Sequence, residues 1–141
     1  MAVNGKQRAA GPVTPGADAV RGARQRRRWA LGGVVVALLL SGLSPVPVPV
    51  AFDHQDKLYH VLGFAVLVLS GRLAFPRMRR VPLAAACVAL AILIELVQGL
   101  MSGRSASGAD MLANLLGMAL GFLCAGWAIR ARGVAAVSRE S

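Results

Sequence analysis

Eight polar residues stand at the edges of long apolar stretches, and they are the side chains best suited to chemistry. They are Asp56, Lys57, His60, Glu95, Gln98, Arg104, Asp110 and Asn114. Carboxylates, an imidazole, cations and amides together can bind a polar ligand, transfer a proton or hold a divalent cation. Because ionisable groups at membrane depth are costly and usually functional, we predict that these residues form one polar functional site.

The composition places the chain among small polytopic membrane proteins. Of its 141 residues, 56% are hydrophobic and only 16% are charged, which is too apolar for a soluble domain of this length. The net charge of +10 comes from basic residues beside apolar segments, so it does not indicate binding to nucleic acid. The expected partners are the lipid bilayer and the anionic lipid head groups at its cytoplasmic face.

Four apolar segments approach or reach the roughly 20 helical residues that cross a bilayer core. They are residues 29–43, 58–75, 81–101 and 109–129, and they predict an all-α polytopic membrane protein with about four transmembrane helices. The first helix must end near Ser44, because the alternating prolines of residues 45–50 remove backbone donors and hold the chain extended. That segment is expected at the membrane interface or against the other helices.

A signal peptide is the alternative for the first segment, since three arginines, residues 26–28, precede an apolar run of suitable length. Prolines crowd the position after Ser44, where a cleavage site is needed. An uncleaved first helix is therefore favoured.

The basic residues predict the orientation of the chain. Fourteen of the 16 Lys and Arg residues lie in the amino-terminal tail, the loop between the second and third segments, and the carboxy-terminal tail. Only Lys57 and Arg104 remain for the other side. By the positive-inside rule, both termini are cytoplasmic and the polar site faces outward.

The chain divides into three predicted parts. Residues 1–28 form a disordered basic cytoplasmic tail, because they are rich in Gly, Ala, Pro and Arg and lack an apolar period. Residues 29–129 form the helical membrane domain, and residues 130–141 form a short cytoplasmic tail.

Helical spacing places polar and small residues on shared faces. The shared faces are Asp56, His60, Gly63 and Leu67 on the second segment; Ala84, Cys87, Val88, Ala91, Glu95 and Gln98 on the third; and Asp110, Asn114, Gly117, Gly121 and Ala125 on the fourth. Gly63, Gly117 and Gly121 are the predicted packing residues, the last two as a GxxxG pair. Packing of these faces predicts one outer cluster that contains the three acids with His60 and Arg104.

A purely structural polar network is the alternative to a functional site. In that interpretation Arg104 pairs with Asp110 across a short loop, and Gln98 and Asn114 are interhelical hydrogen-bonding groups. Such bonds contribute only about 0.6 kcal/mol each in membranes.

The order of these motifs resembles the VanZ-like family of small bacterial membrane proteins, which is named for a member linked to reduced susceptibility to teicoplanin. The likeness rests on Asp56-Lys57-x-x-His60, Glu95-x-x-Gln98, Arg104 and Asp110-x-x-x-Asn114-x-x-Gly117, and it covers roughly residues 29–129. It implies an all-helical, multi-pass protein of the bacterial cytoplasmic membrane. It implies no particular reaction.

Three function classes remain open. The favoured one is a cell-envelope protein whose outer site binds an amphiphile or a partner and affects glycopeptide susceptibility. The second is a membrane-embedded hydrolase or transferase in which His60 works with the acids as acid and base, or as metal ligands. The third is a proton-linked transporter, which would need a homo-oligomer. The sequence carries no CxxC, HExxH or nucleophile-elbow motif, so we predict no cofactor and no metal from motifs alone.

The predicted topology can be tested by cysteine labelling in a variant whose Cys87 and Cys124 are replaced by alanine. Ser105→Cys should react with a membrane-impermeant maleimide in intact cells, because residue 105 lies on the outer side. Arg132→Cys should react only after permeabilisation. The opposite pattern would invert the topology.

Overall fold

A computed structural model describes residues 15–44, 51–101 and 106–137 of the chain. Four helices follow one another: α1 is Pro15–Gly42, α2 is Gln55–Ala74, α3 is Arg80–Gly99 and α4 is Gly108–Val137. No strand occurs in these three ranges. The predicted all-α fold is therefore confirmed.

Helix α1 begins earlier than the sequence predicts. We predict disorder through residue 28, but the helix already starts at Pro15 and has Asp18 in its first turn; residues 1–14 lie outside the described ranges. The error has a physical cause. Residues 15–28 are rich in Ala and Arg, which are good helix formers, and extending an existing apolar helix avoids the cost of a new nucleus.

The predicted end of the first helix near Ser44 is confirmed, because α1 ends at Gly42. The prolines that follow, at residues 45–50, lie outside the described part of the chain.

Three helices are long and apolar enough to cross a membrane: Gln55–Ala74, Arg80–Gly99 and Gly108–Ala128. These correspond to the second, third and fourth predicted segments. The apolar part of α1 between Trp29 and Gly42 is shorter than the roughly 20 residues that a bilayer core needs. A crossing by the first segment stays a prediction.

Helices α2 and α4 make the most extensive contact in the bundle. Gly117 lies against the backbone carbonyl of Val61, and a Cβ atom at Gly121 would lie 2.6 Å from the carbonyl oxygen of Ala65. Only residues without a side chain allow two helix backbones to approach so closely. Because residue numbers rise together along this contact, α2 and α4 run in parallel.

Helices α1 and α3 run antiparallel to this pair. On α3, Leu83 packs on Gly71, near the end of α2, while Glu95 lies near the start of α2. On α1, Leu38 packs on Gly63. The starts of α2 and α4 therefore lie at the same end of the bundle as the ends of α1 and α3.

A small apolar core fills the space between the helices. Its buried members are Phe64, Leu67, Val68, Leu83, Cys87, Ala91, Ile94 and Met118. Leucines on the other faces of the helices, such as Leu112 and Leu120, remain exposed, as expected for side chains that contact lipid.

Two arginines stabilise the end of the bundle where α2 ends and α3 begins. The guanidinium of Arg28, on α1, lies 5.3 Å from the ring centre of Phe75, at the distance of a cation–π contact. Arg72 donates a hydrogen bond of 2.6 Å to the carbonyl of Met78. Basic side chains thus order the turn between α2 and α3.

We expect Gly117→Ala to lower the melting temperature of the detergent-purified protein. The new Cβ would meet the backbone of Val61, which cannot rotate away, and overpacking of this kind costs about 1–3 kcal/mol. Gly126→Ala on the same helix is the matched control, since nothing lies within 4 Å of its added Cβ. Equal melting temperatures for the two variants would contradict the close α2–α4 contact.

Candidate functional site

The candidate site lies where the starts of α2 and α4 meet the end of α3. His60, Glu95 and Asp110 each come from a different helix, and one ligand atom from each lies within 4.8 Å of the other two. His60 and Asp110 are half-buried, whereas Glu95 is 5% exposed. We call these three residues the acid–histidine cluster. It combines an imidazole and two carboxylates at the edge of the apolar core.

The imidazole of His60 is oriented by α4. Its Nδ1 lies 2.9 Å from Oδ1 of Asn114, which is fully buried. With the amide oxygen as acceptor, Nδ1 carries the proton and the lone pair of a neutral ring is on Nε2. The ring is then prepared to act as a base or as a ligand.

The carboxylate of Glu95 is held by the start of α4. Its Oε2 accepts a hydrogen bond of 3.1 Å from the backbone N–H of Ser107. Ser107 is the N-cap of α4, because its carbonyl accepts the first helical bonds and its Oγ accepts a 3.3 Å bond from the N–H of Asp110.

This arrangement modifies the usual capping box. In a capping box the acid three residues after the cap bonds back to the N–H of the cap residue. Here Glu95 of a different helix takes that N–H. The side chain of Asp110 is therefore left available to the acid–histidine cluster.

Lys57 lies at the edge of the cluster and is shared by two acids. Its Nζ is 2.9 Å from Asp56 and 3.5 Å from Asp110. The Asp56 side chain is 58% exposed, so its ion pair with Lys57 contributes little to stability. Asp56 is not one of the three residues whose ligand atoms converge in the cluster.

Within the described part of the chain, three buried polar atoms of the site have no hydrogen-bond partner: Oε1 of Glu95, Oδ1 of Asp110 and Nδ2 of Asn114. Oδ1 of Asp110 still has the charge of Lys57 nearby, but the distance is too long for a good hydrogen bond. Unpaired buried polar groups are costly and rare in folded proteins. Their concentration in one place indicates a site arranged for something other than stability.

The remaining predicted residues have other positions. Gln98 is buried and donates a 2.9 Å hydrogen bond to the carbonyl of Gly42, which satisfies the end of α1. It thus fastens α1 to α3 and does not join the cluster. Arg104 lies outside the described residues, so its predicted place beside the acids stays a prediction.

The predicted packing glycines divide into two kinds. Gly117 and Gly121 touch the backbone of α2, whereas Gly63 faces the flexible side chain of Leu38 on α1. The first two determine how closely the site residues of α2 and α4 approach each other. Gly63 positions α1 instead.

A sequence profile of the VanZ/LLP1 family matches residues 24–129, which is most of the chain and includes parts of all four helices. The chain belongs to the VanZ/LLP1 family. Neither a curated protein nor a solved structure matches it. The VanZ/LLP1 family is associated with glycopeptide resistance. Together with three apolar helices of spanning length, this membership identifies a membrane protein.

Sequence reasoning missed the role of Ser107 in this VanZ/LLP1 chain. Ser107 is not among the predicted site residues, but it is the cap that connects Glu95 to α4. The signal was present as Ser107-x-x-Asp110 directly before an apolar run, a pattern typical of helix starts.

A second missed residue of the VanZ/LLP1 chain is Gln55, which is buried at the start of α2. It accepts a bond from the N–H of Ala51 and donates one to Tyr59, each 2.7 Å long. These bonds secure the turn before the site. No sequence motif marks a glutamine of this kind.

Ser107→Ala should lower the free energy of unfolding by about 1 kcal/mol, the usual cost of losing a cap. Ser107→Thr keeps the hydroxyl and should lower it much less. Denaturation of the purified protein in detergent measures both variants. Equal losses for Ala and Thr would show that the hydroxyl does not cap α4.

Proposed function

We propose that this chain is a multi-pass protein of the bacterial cytoplasmic membrane whose outward-facing site binds the head group of a cell-envelope amphiphile. Binding of that amphiphile would reduce susceptibility to teicoplanin-type glycopeptides. The observation that carries the proposal is the convergence of His60, Glu95 and Asp110 from three helices within 4.8 Å. Ionisable groups within membrane-spanning helices generally mark a ligand pathway or a binding site.

The outward orientation is supported by the distribution of basic residues. Arg72, Arg77, Arg79 and Arg80 lie at or beside the turn between α2 and α3, which is the end of the bundle opposite the cluster. Among the described residues at the cluster end, Lys57 is the basic one. By the positive-inside rule, this distribution favours the outer face for the cluster.

An amphiphilic ligand is supported by the surface around the cluster. Exposed apolar side chains occupy the same helical turns as the site residues: Tyr59 and Leu62 beside His60, Leu96 beside Glu95, and Leu112 beside Asp110. A molecule with its polar head at the cluster can lay its apolar chains along this surface within the lipid. A ligand without an apolar part would gain nothing from these side chains.

The charge of the site favours a head group that donates hydrogen bonds. The cluster contains two carboxylates, Glu95 and Asp110, and among the described residues Lys57 is the cation recorded beside Asp110. Both acids also present buried oxygens that lack a hydrogen-bond donor among the described residues. A hydroxyl, amide or amine of the ligand can supply those donors, and each bond to a charged acceptor typically contributes about 1.5–3 kcal/mol.

A membrane-embedded hydrolase or transferase is the second candidate function. The observation that favours it is the hydrogen bond between His60 and Asn114, which orients the imidazole as a histidine base is oriented in many enzymes. Two carboxylates stand within reach of that ring. Turnover of an added envelope lipid by the purified protein would favour this function over simple binding.

Glu95→Gln and His60→Asn should return glycopeptide susceptibility to the level of cells that lack the protein. Both changes preserve approximate size but remove the acid or the imidazole from the cluster. The measurement is the minimal inhibitory concentration of teicoplanin in a susceptible host at matched membrane abundance of each variant.

Two exposed neighbours provide matched controls for this experiment. Asp53→Asn and His54→Asn alter the same residue types outside the cluster and should leave susceptibility at the wild-type level. Asn suits position 54 because its backbone has φ of 63°, a conformation that Asn tolerates well. Full teicoplanin resistance in a Glu95→Leu/His60→Leu double variant would show that the cluster has only a structural role.

A further inference from the structure

We propose that the acid–histidine cluster is a Zn²⁺ site, with His60, Glu95 and Asp110 as its three protein ligands. This inference rests on the proposed function in one respect, since the ion would occupy the same outer site. It assigns to that site a metal that no sequence motif of the chain indicates.

The donor set suits the ion. Zn²⁺ binds imidazole nitrogen and carboxylate oxygen at about 2.0–2.2 Å, and sites that keep an open position have three protein ligands. Ligand atoms at a tetrahedral zinc lie about 3.4 Å apart, by the geometry of those bond lengths. The atoms here lie within 4.8 Å of one another, so small side-chain adjustments bring them to binding distance.

Each ligand is already oriented by a second group. With Oδ1 of Asn114 as the acceptor, Nδ1 of His60 donates their 2.9 Å hydrogen bond, and the lone pair of the neutral ring is on Nε2. The N–H of Ser107 holds one oxygen of Glu95. Zinc-bound histidines and carboxylates characteristically have such outer partners, which fix the ligand and tune its basicity.

The buried oxygen of Glu95 is an independent observation that points to a ligand. Oε1 has no hydrogen-bond partner among the residues that the structure describes, although Glu95 is 5% exposed. A buried carboxylate without a partner is strongly unfavourable, and such charges are normally paired or coordinate a metal. An ion between the three residues would provide the missing partner for this oxygen and for Oδ1 of Asp110.

Lys57 does not prevent the ion from binding. Its Nζ lies 3.5 Å from Asp110 but only 2.9 Å from Asp56. When Asp110 coordinates the metal, the ammonium keeps its closer acid. The charge of the two cluster carboxylates then balances that of the divalent cation.

The test is direct zinc binding by the full-length protein, purified in detergent without a polyhistidine tag and stripped with EDTA. Equilibrium dialysis should give one Zn²⁺ per chain for the wild type, and Zn²⁺ should raise its melting temperature, because a ligand that binds only the folded state stabilises it. Glu95→Gln and His60→Asn should lose both effects. Asp53→Asn and His54→Asn should keep both.

A variant that removes the residue orienting His60 distinguishes a zinc ligand from a residue that supports a ligand. Asn114→Leu should still bind one Zn²⁺, but about 10–100-fold more weakly, as for loss of other outer partners. Substitution with Co²⁺ provides a second readout that does not depend on the melting temperature, since its visible absorption reports the ligand set. Absence of zinc from the wild type, or unchanged binding in Glu95→Gln and His60→Asn, would overturn the proposal. Preference for Mg²⁺ or Ca²⁺ over Zn²⁺ would overturn it as well.

The metal and the proposed function can fail separately. If the wild type binds no zinc while Glu95→Gln and His60→Asn still abolish teicoplanin resistance, the metal is refuted and the functional site stands. If zinc binds as expected while the same variants remain fully resistant, the proposed function is refuted and the metal site stands.

Discussion

The close contact between α2 and α4 is the constraint on which the rest of the structure depends. Gly117 touches the backbone of Val61, and Gly121 touches that of Ala65. At this separation Asn114 reaches His60 with a hydrogen bond of 2.9 Å. A wider separation would break that bond and move Asp110 away from the imidazole. The polar site therefore exists because two glycines permit an unusually short distance between two helices.

Glu95 connects the site to the stability of the bundle. One of its oxygens accepts a hydrogen bond from the cap residue of α4, and the other is buried without a partner among the described residues. The same carboxylate thus fastens α3 to α4 and leaves its second oxygen available to a ligand. Glu95→Ala removes both oxygens at once, whereas Glu95→Gln can keep the oxygen that accepts the bond from Ser107. Glu95→Gln is therefore the more informative variant.

The sequence was sufficient to predict the helices and the meeting of His60, Glu95 and Asp110, because helical spacing puts polar and small residues on shared faces. It was not sufficient to separate roles within a face. Gln98 lies on the same helical face as Glu95, yet it donates a hydrogen bond to the end of α1. Asp56 lies on the same face as His60, yet its side chain is mostly exposed to solvent. A shared helical face specifies the direction of a side chain, but it specifies neither the depth of that side chain in the bundle nor its hydrogen-bond partner. The early start of α1 was missed because helix propensity, which needs no apolar period, decides that region.

The alternating directions of the four helices affect the electric field at the cluster. Each helix carries about half a positive charge at its start and half a negative charge at its end, from the alignment of its peptide dipoles. The starts of α2 and α4 lie at the cluster end together with the ends of α1 and α3, which are joined there through Gln98 and Gly42. These partial charges largely cancel, so the peptide backbone supplies little net potential. The electrostatic potential at the ligand is consequently determined by a few ionised side chains. Removing the charge of one of them changes that potential directly, because the helix dipoles do not compensate for it.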